Sequence, residues 1–399
     1  MPRGAAEVEQ GRNAVASEET KMRARAALAA ACLMTTALTA SPAGATSSTV
    51  DITYRGITVA VPRSWPVYDL AEQPGRCVRL DRHAVYLGTP GANQACPAHL
   101  IGRTETITLQ PYSDDQVTED AELVQVSDHG VLITASYGAR GPAAVRSMVP
   151  AGAAPAQPKA AAAEPVTPTS APTTVQGAGF DACAAPSRAA MRAWSRSSAP
   201  YKAVGIYIGG LNRGCPYGHL SAGWVGVVRG YGYHFIPTYV GRQAPCSGVG
   251  IPITPSKATA QGLNAARDAL ANMRKLGFGK GSPVYLDMEH YIGDSGCNRA
   301  VLQFVSAWVY RLHQSGYLAG LYTSSWTSIV RHHNDGFRNP DAVWIGRWNN
   351  KRTVFGDPVV PDNFWPHHQR IHQYKGGHAV RYNGVTLTID TDMLDAPAG

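Results

Sequence analysis

Two carboxylates stand two residues apart at the end of an apolar segment, in the run Val284-Tyr285-Leu286-Asp287-Met288-Glu289. Alternate side chains of a strand share a face, so Asp287 and Glu289 point to one side and Met288 to the other. Two acids in one desolvated space repel each other, which favours keeping one of them protonated. A proton donor beside an anion is what glycosidic cleavage requires, because the leaving oxygen takes up a proton while positive charge develops on the sugar. The alternative is a surface strand end with two solvated acids.

The elements that would position this pair are predicted by alternating strand-like and helical segments. Eight short runs have strand character: 178–182, 203–208, 233–240, 283–289, 317–322, 342–347, 370–374 and 386–390. Helical periodicity lies between them at 187–195 and 220–230, then up to stops at Gly277 and Gly316, and fades after the sixth run. The alternation predicts an α/β fold, an incomplete (β/α)8 TIM-type barrel of about 220 residues. A doubly wound open sheet is the alternative, but the chain has no Gly-rich phosphate loop to favour it.

The acids of separate runs are predicted to converge, because residues at the carboxyl ends of barrel strands line the active-site face. Asp181 ends the first run, Asp287 and Glu289 end the fourth, and Asp390 ends the eighth, which closure places beside the first. Aromatic rings at such positions can stack on sugars, while hydroxyl and amide groups donate hydrogen bonds. Candidate substrate-binding residues are Tyr207, Tyr239, Tyr322, Trp348, Gln373 and Tyr374. Each aromatic residue taken singly is also compatible with an ordinary core position.

The order of these motifs resembles the glycoside hydrolase family 25 muramidases. The matching segments are Gly-Phe-Asp (179–181), Asp-x-Glu (287–289), Gly-Leu-Tyr-Thr-Ser (320–324), Val-Trp-Ile-Gly-Arg-Trp (343–348), Gln-Tyr (373–374) and Ile-Asp (389–390). Segments 179–187, 207–210 and 239–241 are more similar still to a secreted bacterial glycoside-hydrolase-like domain of unknown function. The resemblance covers nearly all of 177–397 and implies an incomplete barrel with a sugar-binding cleft.

The resemblance also implies roles for the acids. Glu289 becomes the general acid, and Asp287 either orients the substrate N-acetyl group or acts as base or nucleophile. Asp181 and Asp390 become outer acids that position water and tune the protonation of the pair. Family 25 usually has Ser two residues after the first Asp, whereas this chain has Cys183.

Six cysteines follow the leader, an even number that suggests disulfides in an exported protein. Cys77 and Cys96 are expected to pair within the first half of the chain. The other four allow three pairings, of which we favour Cys183 with Cys215 and Cys246 with Cys297, because each couples successive loops at one end of the barrel. Zinc is disfavoured because no Cys-x-x-Cys pair occurs among them.

The first 45 residues are predicted to be a signal peptide. Lys21, Arg23 and Arg25 precede an apolar run, and Ala43-Gly44-Ala45 forms a small-residue cleavage site. Met22 as the true start, an uncleaved anchor and a lipid on Cys32 are alternatives. Residues 46–150 are predicted to form a small all-β domain with a hairpin turning at Arg55-Gly56, and 151–176, rich in Ala, Pro and Thr, a linker to the domain at 177–399.

Charge and the remaining motifs narrow the function. The formal charge of +8 favours polyanionic surfaces such as wall polymers, while the scattered basic residues disfavour nucleic acid. His332-His333 and His367-His368 with His372 lie in segments that do not predict a metal site, and no Gly-x-Ser-x-Gly elbow occurs. Gly277-Phe278-Gly279-Lys280-Gly281 fits a helix stop better than a phosphate loop.

The sequence therefore predicts a secreted or cell-wall-associated protein that hydrolyses an amino-sugar polymer, peptidoglycan, without a cofactor or metal. Membrane contact is expected only through the signal segment before cleavage. Two alternatives remain: a non-catalytic wall-binding or scaffold protein that retains the cleft, and a hydrolase of another glycan, such as a capsular or arabinose-containing polymer.

Overall fold

The computed structural model describes residues 48–113, 117, 123–156, 173–325, 330–331 and 333–399. The predicted signal peptide, 1–45, lies outside these residues. Within the part of the chain that is described, no helix is long and apolar enough to cross a membrane.

The described residues of the N-terminal part, up to 156, form two sheets and one short helix. Its elements are β1 (Thr49–Tyr54), β2 (Ile57–Pro62), β3 (Val67–Asp69), β4 (Ala84–Leu87), β5 (Thr106–Pro111), β6 (Leu123–Asp128), β7 (Val131–Ser136), α1 (Ala143–Arg146) and β8 (Ala154–Pro155). Strands β1 and β2 form the predicted antiparallel hairpin, and positive φ at Arg55 and Gly56 makes its turn. The other six strands form one sheet in the order β3-β4-β5-β7-β6-β8.

The boundary between the two halves lies inside the predicted linker range of 151–176. Strand β8 pairs with β6 and so extends the N-terminal sheet to Pro155. The first barrel strand begins at Thr173. Residues 157–172, the middle of the predicted linker, lie outside the described residues.

The C-terminal part is an eight-stranded closed barrel with helices on its outside. Its elements are β9 (Thr173–Asp181), α2 (Arg188–Ser195), β10 (Tyr201–Gly209), α3 (Ala222–Gly230), β11 (His234–Tyr239), a 3-10 helix (Pro255–Lys257), α4 (Ala258–Lys275), β12 (Pro283–Met288), α5 (Ser295–Gln314), β13 (Leu318–Thr323), β14 (Ala342–Gly346), β15 (Arg370–Tyr382) and β16 (Val385–Ala398). The barrel runs from β9 through β16 in sequence order and closes where β16 pairs with β9.

The last strand departs from the predicted parallel pattern. Strands β9 to β15 pair in parallel with one another in sequence order, whereas β16 is antiparallel to both β15 and β9. The reason is the turn at Asn383-Gly384, whose positive φ values suit a two-residue hairpin. The same hairpin lengthens both strands beyond the predicted runs. Residues 347–369, between β14 and β15, contain turns and no helix, in agreement with the fading periodicity.

Local sequence signals account for the helix ends. Ser187, Ser221 and Asp294 precede α2, α3 and α5, and each side chain accepts a hydrogen bond from a backbone N–H of the first turn. Gly277 and Gly316 follow α4 and α5 with φ of 86° and 79°, as predicted for helix stops.

The barrel has one core inside the strands and another between strands and helices. The outer core includes Trp194 and Trp308, while the inner core includes Tyr285, Tyr322 and Trp344. Gly320 makes room for the inner core, because a Cβ there would lie 2.2 Å from the ring of Tyr285. The interior below the barrel mouth is therefore filled with side chains.

Candidate active site

The four predicted acids meet at one end of the barrel. Asp181 is the last residue of β9, Asp287 lies near the end of β12, and Glu289 follows that strand directly. Asp390 was predicted to end the eighth strand, and this was wrong, because β16 continues to Ala398 in the opposite direction. Asp390 still reaches the site, since it lies opposite Asp181 in the antiparallel register.

Asp181 is fully buried and is held by two side chains. The Tyr207 hydroxyl donates to Oδ1 at 2.9 Å and the Gln373 amide donates to Oδ2 at 3.0 Å. Burial nevertheless raises the pKa of Asp181. Gly205 on the neighbouring strand permits this position, because a Cβ there would lie 2.4 Å from the Cβ of Asp181.

Asp287 is the buried acid with the fewest partners. Its side chain is 0% exposed, and neither carboxyl oxygen has a hydrogen-bond partner among the described residues. Burial, together with repulsion from Glu289 and Asp181, raises its pKa well above the usual range, although His99 acts in the opposite direction. Burial and the neighbouring carboxylates therefore favour the protonated form of Asp287, which can donate a hydrogen bond.

The cation beside these acids is His99, a residue of the N-terminal part that the sequence analysis did not predict. Its Nε2 lies 2.7 Å from Oε1 of Glu289 and 3.5 Å from Oδ2 of Asp287. Burial would lower the pKa of His99, but the two carboxyl groups outweigh it and raise the pKa to about 10. His99 is therefore an imidazolium at neutral pH. No local pattern around position 99 could have indicated this contact.

The charge of His99 also decides the state of Glu289. Burial alone would raise the pKa of Glu289, but attraction to His99 outweighs it and lowers the pKa. The Glu289 side chain is 21% exposed, in contrast to the fully buried Asp287. With His99 beside it, Glu289 is thus favoured as the anion and Asp287 as the protonated acid, whereas the resemblance implies that Glu289 carries the proton.

Two further acids complete the cluster. Burial and repulsion from Asp181 raise the pKa of Asp390 to about 7, and the backbone N–H of Gly377 donates to its Oδ1. Asp392, also buried, accepts a hydrogen bond from the Trp344 indole at 2.9 Å, and burial raises its pKa well above the usual range. Asp392 was missed, although the alternation in Asp390-Thr391-Asp392 is the same signal that singled out Asp287 and Glu289.

Gln243 holds the backbone on which the acid pair is carried, and it too was missed. Its side chain is 0% exposed. Its carbonyl oxygen accepts from the N–H of Glu289 at 2.8 Å, and its amide donates to the backbone oxygen of Asp287 at 3.0 Å. The two bonds fix the peptide groups on either side of Met288 and so fix the directions of both acids.

An aromatic and amide network borders the acids. Gln373 accepts from the Tyr322 hydroxyl at 3.1 Å and from the Trp348 indole at 2.9 Å. Trp348 is 64% exposed, which is unusual for so large an apolar ring. Gly376 lies against this ring, since a Cβ there would be 2.3 Å from it. Trp348 thus offers an exposed ring face that is anchored to the acid cluster through Gln373.

Two predicted substrate-binding residues contact other parts of the molecule. The Tyr239 hydroxyl donates to Asp268 of α4 at 2.8 Å, and its ring packs on Trp308 in the outer core. Tyr374 alternates with Gln373 on β15 and therefore faces the other way, with its ring 6.2 Å from that of His372. Strand ends alone do not indicate which face each ring takes.

All three favoured disulfides are confirmed. They join Cys77 to Cys96, Cys183 to Cys215 and Cys246 to Cys297. The first two pack together with Leu100 in one buried cluster. Cys183, at the position where family 25 usually has Ser, thus forms a disulfide that packs against the N-terminal part.

Among the residues that the structure describes, two sets of three side chains are spaced closely enough to hold a metal ion. His99 forms one with Asp287 and Glu289 and another with Asp181 and Asp390, with ligand atoms within 4.8 Å of one another. Two ligand atoms on one ion, with bonds of about 2.1 Å, lie about 2.9 Å or more apart. The 2.7 Å distance between His99 and Glu289 fits a direct ion pair better.

The chain is similar to one family model and to several solved structures. The model of the Rv2525c-like glycoside hydrolase-like domain matches residues 192–394. A solved structure of an uncharacterized B. stearothermophilus protein is 19% identical and covers 55% of this chain and 99% of its own, with a TM-score of 0.40. The Mycobacterium tuberculosis Tat-secreted protein Rv2525c, in complex with L-tartrate, is 15% identical over 55% of this chain and 96% of its own, with a TM-score of 0.39.

A third structure is the Clostridium perfringens spore cortex lytic enzyme SleM, which is 14% identical over 48% of this chain and 59% of its own, with a TM-score of 0.32. No curated protein matches the chain. The matched family model spans 203 residues from 192 to 394, just over half of the 399. The chain therefore belongs to the Rv2525c-like glycoside hydrolase-like family.

Proposed function

We propose that the barrel hydrolyses a cell-wall amino-sugar polymer, peptidoglycan, by general acid catalysis from its carboxyl cluster. The observation that carries the proposal is the fully buried carboxyl of Asp287 beside the partly exposed carboxyl of Glu289. Repulsion between two such close carboxyl groups favours one proton on the pair, so one group can donate it while the other stays ionised, as glycosidic cleavage requires. Membership of a glycoside-hydrolase-like family supports the same chemistry.

Glu289 is the acid that donates to the leaving oxygen. Of the pair it is the one with side-chain exposure, so a substrate oxygen can approach it, whereas Asp287 is 0% exposed. Once His99 is no longer beside it, burial raises the pKa of Glu289 and allows it to carry the proton. The proton of the pair then lies on Glu289, and Asp287 orients the substrate N-acetyl group.

The surrounding residues position water, stack on the sugar and hold the acids in place. Asp181 and Asp390 position water and tune the protonation of the pair through their mutual repulsion. The exposed Trp348 ring supplies a stacking face for a sugar, and Tyr207, Tyr322 and Gln373 hold the acids and the rim in place. Three disulfides support a site of action outside the cytoplasm, where such bonds persist.

A test compares the release of reducing ends from purified peptidoglycan by the wild type and by Glu289→Gln. The amide keeps the shape of the side chain but cannot donate an acidic proton, so we expect an intact fold without cleavage. Glu72→Gln, which changes an exposed carboxylate far along the chain, is the matched control. Undiminished release by Glu289→Gln would exclude Glu289 as the acid.

A second candidate function is non-catalytic binding of the same polymer. It is favoured by the ion pair of His99 with Glu289, which holds the acid in its ionised form. Sedimentation with purified peptidoglycan, together with no release of reducing ends by either the wild type or His99→Ala, would select this function.

A further inference from the structure

One loop of the N-terminal part, residues 96–103, contacts the acid cluster of the barrel. This cluster consists of Asp181, Asp287, Glu289, Asp390 and Asp392. His99 of this loop touches Glu289 through Nε2 at 2.7 Å and Tyr207 through Nδ1 at 2.7 Å. Because Tyr207 donates its own proton to Asp181, the His99 Nδ1–H donates to the Tyr207 oxygen. The imidazole ring therefore fills the space between the side chains of β10 and β12.

Backbone hydrogen bonds fix the 96–103 loop to the barrel segment 212–215. The N–H of Gly102 donates to the oxygen of Asn212 at 2.8 Å, and the N–H of Gly214 donates to the oxygen of Leu100 at 3.2 Å. A side chain at 214 would prevent this approach, since a Cβ there lies 2.9 Å from the Leu100 oxygen. The Arg103 guanidinium also donates to the oxygen of Arg213 at 3.0 Å.

Two disulfides stiffen the two sides of this contact. Cys77–Cys96 closes the chain just before His99, and Cys183–Cys215 anchors the receiving segment. Both pack against Leu100, which is 7% exposed. Residues on both sides of His99 are thus held in place, so the position of its ring does not depend on the ion pair alone.

The position of His99 conflicts with that of a substrate. A general acid must lie within hydrogen-bond reach, about 2.6–3.2 Å, of the oxygen that it protonates. The His99 Nε2 occupies that distance range from the Oε1 of Glu289, at 2.7 Å. A glycosidic oxygen that approaches Oε1 of Glu289 from this side therefore meets the His99 ring.

We propose that the 96–103 loop is an intramolecular plug, which occupies the substrate position of the barrel and which a glycan must displace before it can bind. The inference rests on the proposed function, because it takes the acid cluster to be the place where the sugar chain binds. The proposal assigns a role to the N-terminal part, which covers the cleft until the glycan displaces the loop.

Binding measurements test the plug directly, with chitotetraose as the soluble amino-sugar probe. We expect His99→Ala and His99→Gln to lower the apparent Kd at least about tenfold. In the wild type the site is open for only a fraction of the time, and its apparent affinity for the sugar is reduced by that fraction. His83→Ala is the matched control, a histidine of the same part that stacks on Trp65. Equal affinity of the wild type and both His99 variants would overturn the plug.

Amide hydrogen exchange provides a readout that does not depend on catalysis. The N–H groups of Gly102 and Gly214 bridge the loop and the barrel, so we expect both to exchange faster when chitotetraose is added to the wild type. Sugar binding that leaves both amides protected would contradict displacement. Zn²⁺ that raises the Tm of the wild type but not of His99→Ala would also overturn the plug, because His99 would then be a metal ligand.

The outcomes separate the two proposals. Tighter sugar binding by His99→Ala without release of reducing ends supports the plug and removes the hydrolase. Cleavage with no difference between the wild type and His99→Ala supports the hydrolase and removes the plug. Absence of sugar binding in the wild type and in every variant contradicts both.

Discussion

Asp390 on β16 lies directly opposite Asp181 on β9, in an antiparallel pair that closes the barrel. The two carboxyl groups repel each other in a buried space, and the pKa of Asp390 is raised to about 7. The Gln373 amide lies 3.0 Å from Asp181 and 3.4 Å from Asp390, so one donor lies between the two acids. The pairing of β9 with β16, which closes the barrel, thus also brings two mutually repelling carboxyl groups together.

Asp390→Asn is predicted to change how stability depends on pH. The folded pKa of Asp390, about 7, lies above its ordinary value of 3.8, so the folded state binds the proton more tightly than the unfolded state. The contribution of this proton to the free energy of unfolding is therefore complete below about pH 4 and is lost as the pH rises through 7. The unfolding free energy of Asp390→Asn minus that of the wild type should therefore be larger at pH 8 than at pH 5, by on the order of 2 kcal/mol.

Urea unfolding of both proteins at pH 5 and pH 8 measures this difference. Asp362→Asn, which changes an exposed acid in the loop before β15, is the control and should show the same difference at both pH values. A wild-type-to-variant difference in unfolding free energy that does not change with pH would exclude the proposed coupling of Asp390.

Gln243→Ala is predicted to misdirect the acid pair. The substitution leaves the N–H of Glu289 and the oxygen of Asp287 without their partners and should cost about 1–3 kcal/mol of unfolding free energy. We expect release of reducing ends to fall more than sugar affinity, because the acids turn while the Trp348 face remains. Gln314→Ala, which changes the exposed last residue of α5, is the control. A loss of stability with unchanged cleavage would make Gln243 purely structural.

Trp348→Ala and Trp344→Ala are predicted to separate binding from folding. Trp348 is 64% exposed, so its loss should weaken chitotetraose binding by about 1–3 kcal/mol, typical of a lost stacking ring, and leave stability almost unchanged. Trp344 is 1% exposed in the inner core, and its truncation should cost about 3–5 kcal/mol of unfolding free energy. Calorimetric titration and denaturant unfolding measure the two effects. Similar profiles for the two variants would argue against a stacking role for Trp348.

Removing one of the two barrel disulfides is predicted to loosen the loop at the acid cluster. The double variants Cys183→Ser/Cys215→Ser and Cys246→Ser/Cys297→Ser should each lose about 2–5 kcal/mol of stability. Only the first pair packs on Leu100, so only its loss should speed the exchange of the Gly102 amide. Equal acceleration in both variants would mean that the effect is a general loss of stability.

Local sequence was sufficient for much of the molecule. Alternation in Val284-Tyr285-Leu286-Asp287-Met288-Glu289 placed two acids on one face, and glycines at 277 and 316 marked the helix ends. The eight strands and the three disulfide pairings followed from patterns within short segments and from the order of those segments along the barrel. Strands and helix ends depend on interactions between residues close in sequence, which periodicity and turn chemistry describe well. The two barrel disulfides join residues 32 and 51 apart, so their pairing followed from the order of the loops along the barrel.

The folded chain alone placed His99 beside Glu289, 190 residues away along the sequence. The contact depends on backbone hydrogen bonds between two irregular loops, and such bonds leave no periodic side-chain pattern. The outward direction of Tyr239 likewise depends on packing against α4 and α5. The opposite pKa shifts of Asp287 and Glu289 follow from such long-range contacts, because burial and neighbouring charge, and not residue type, shift a pKa.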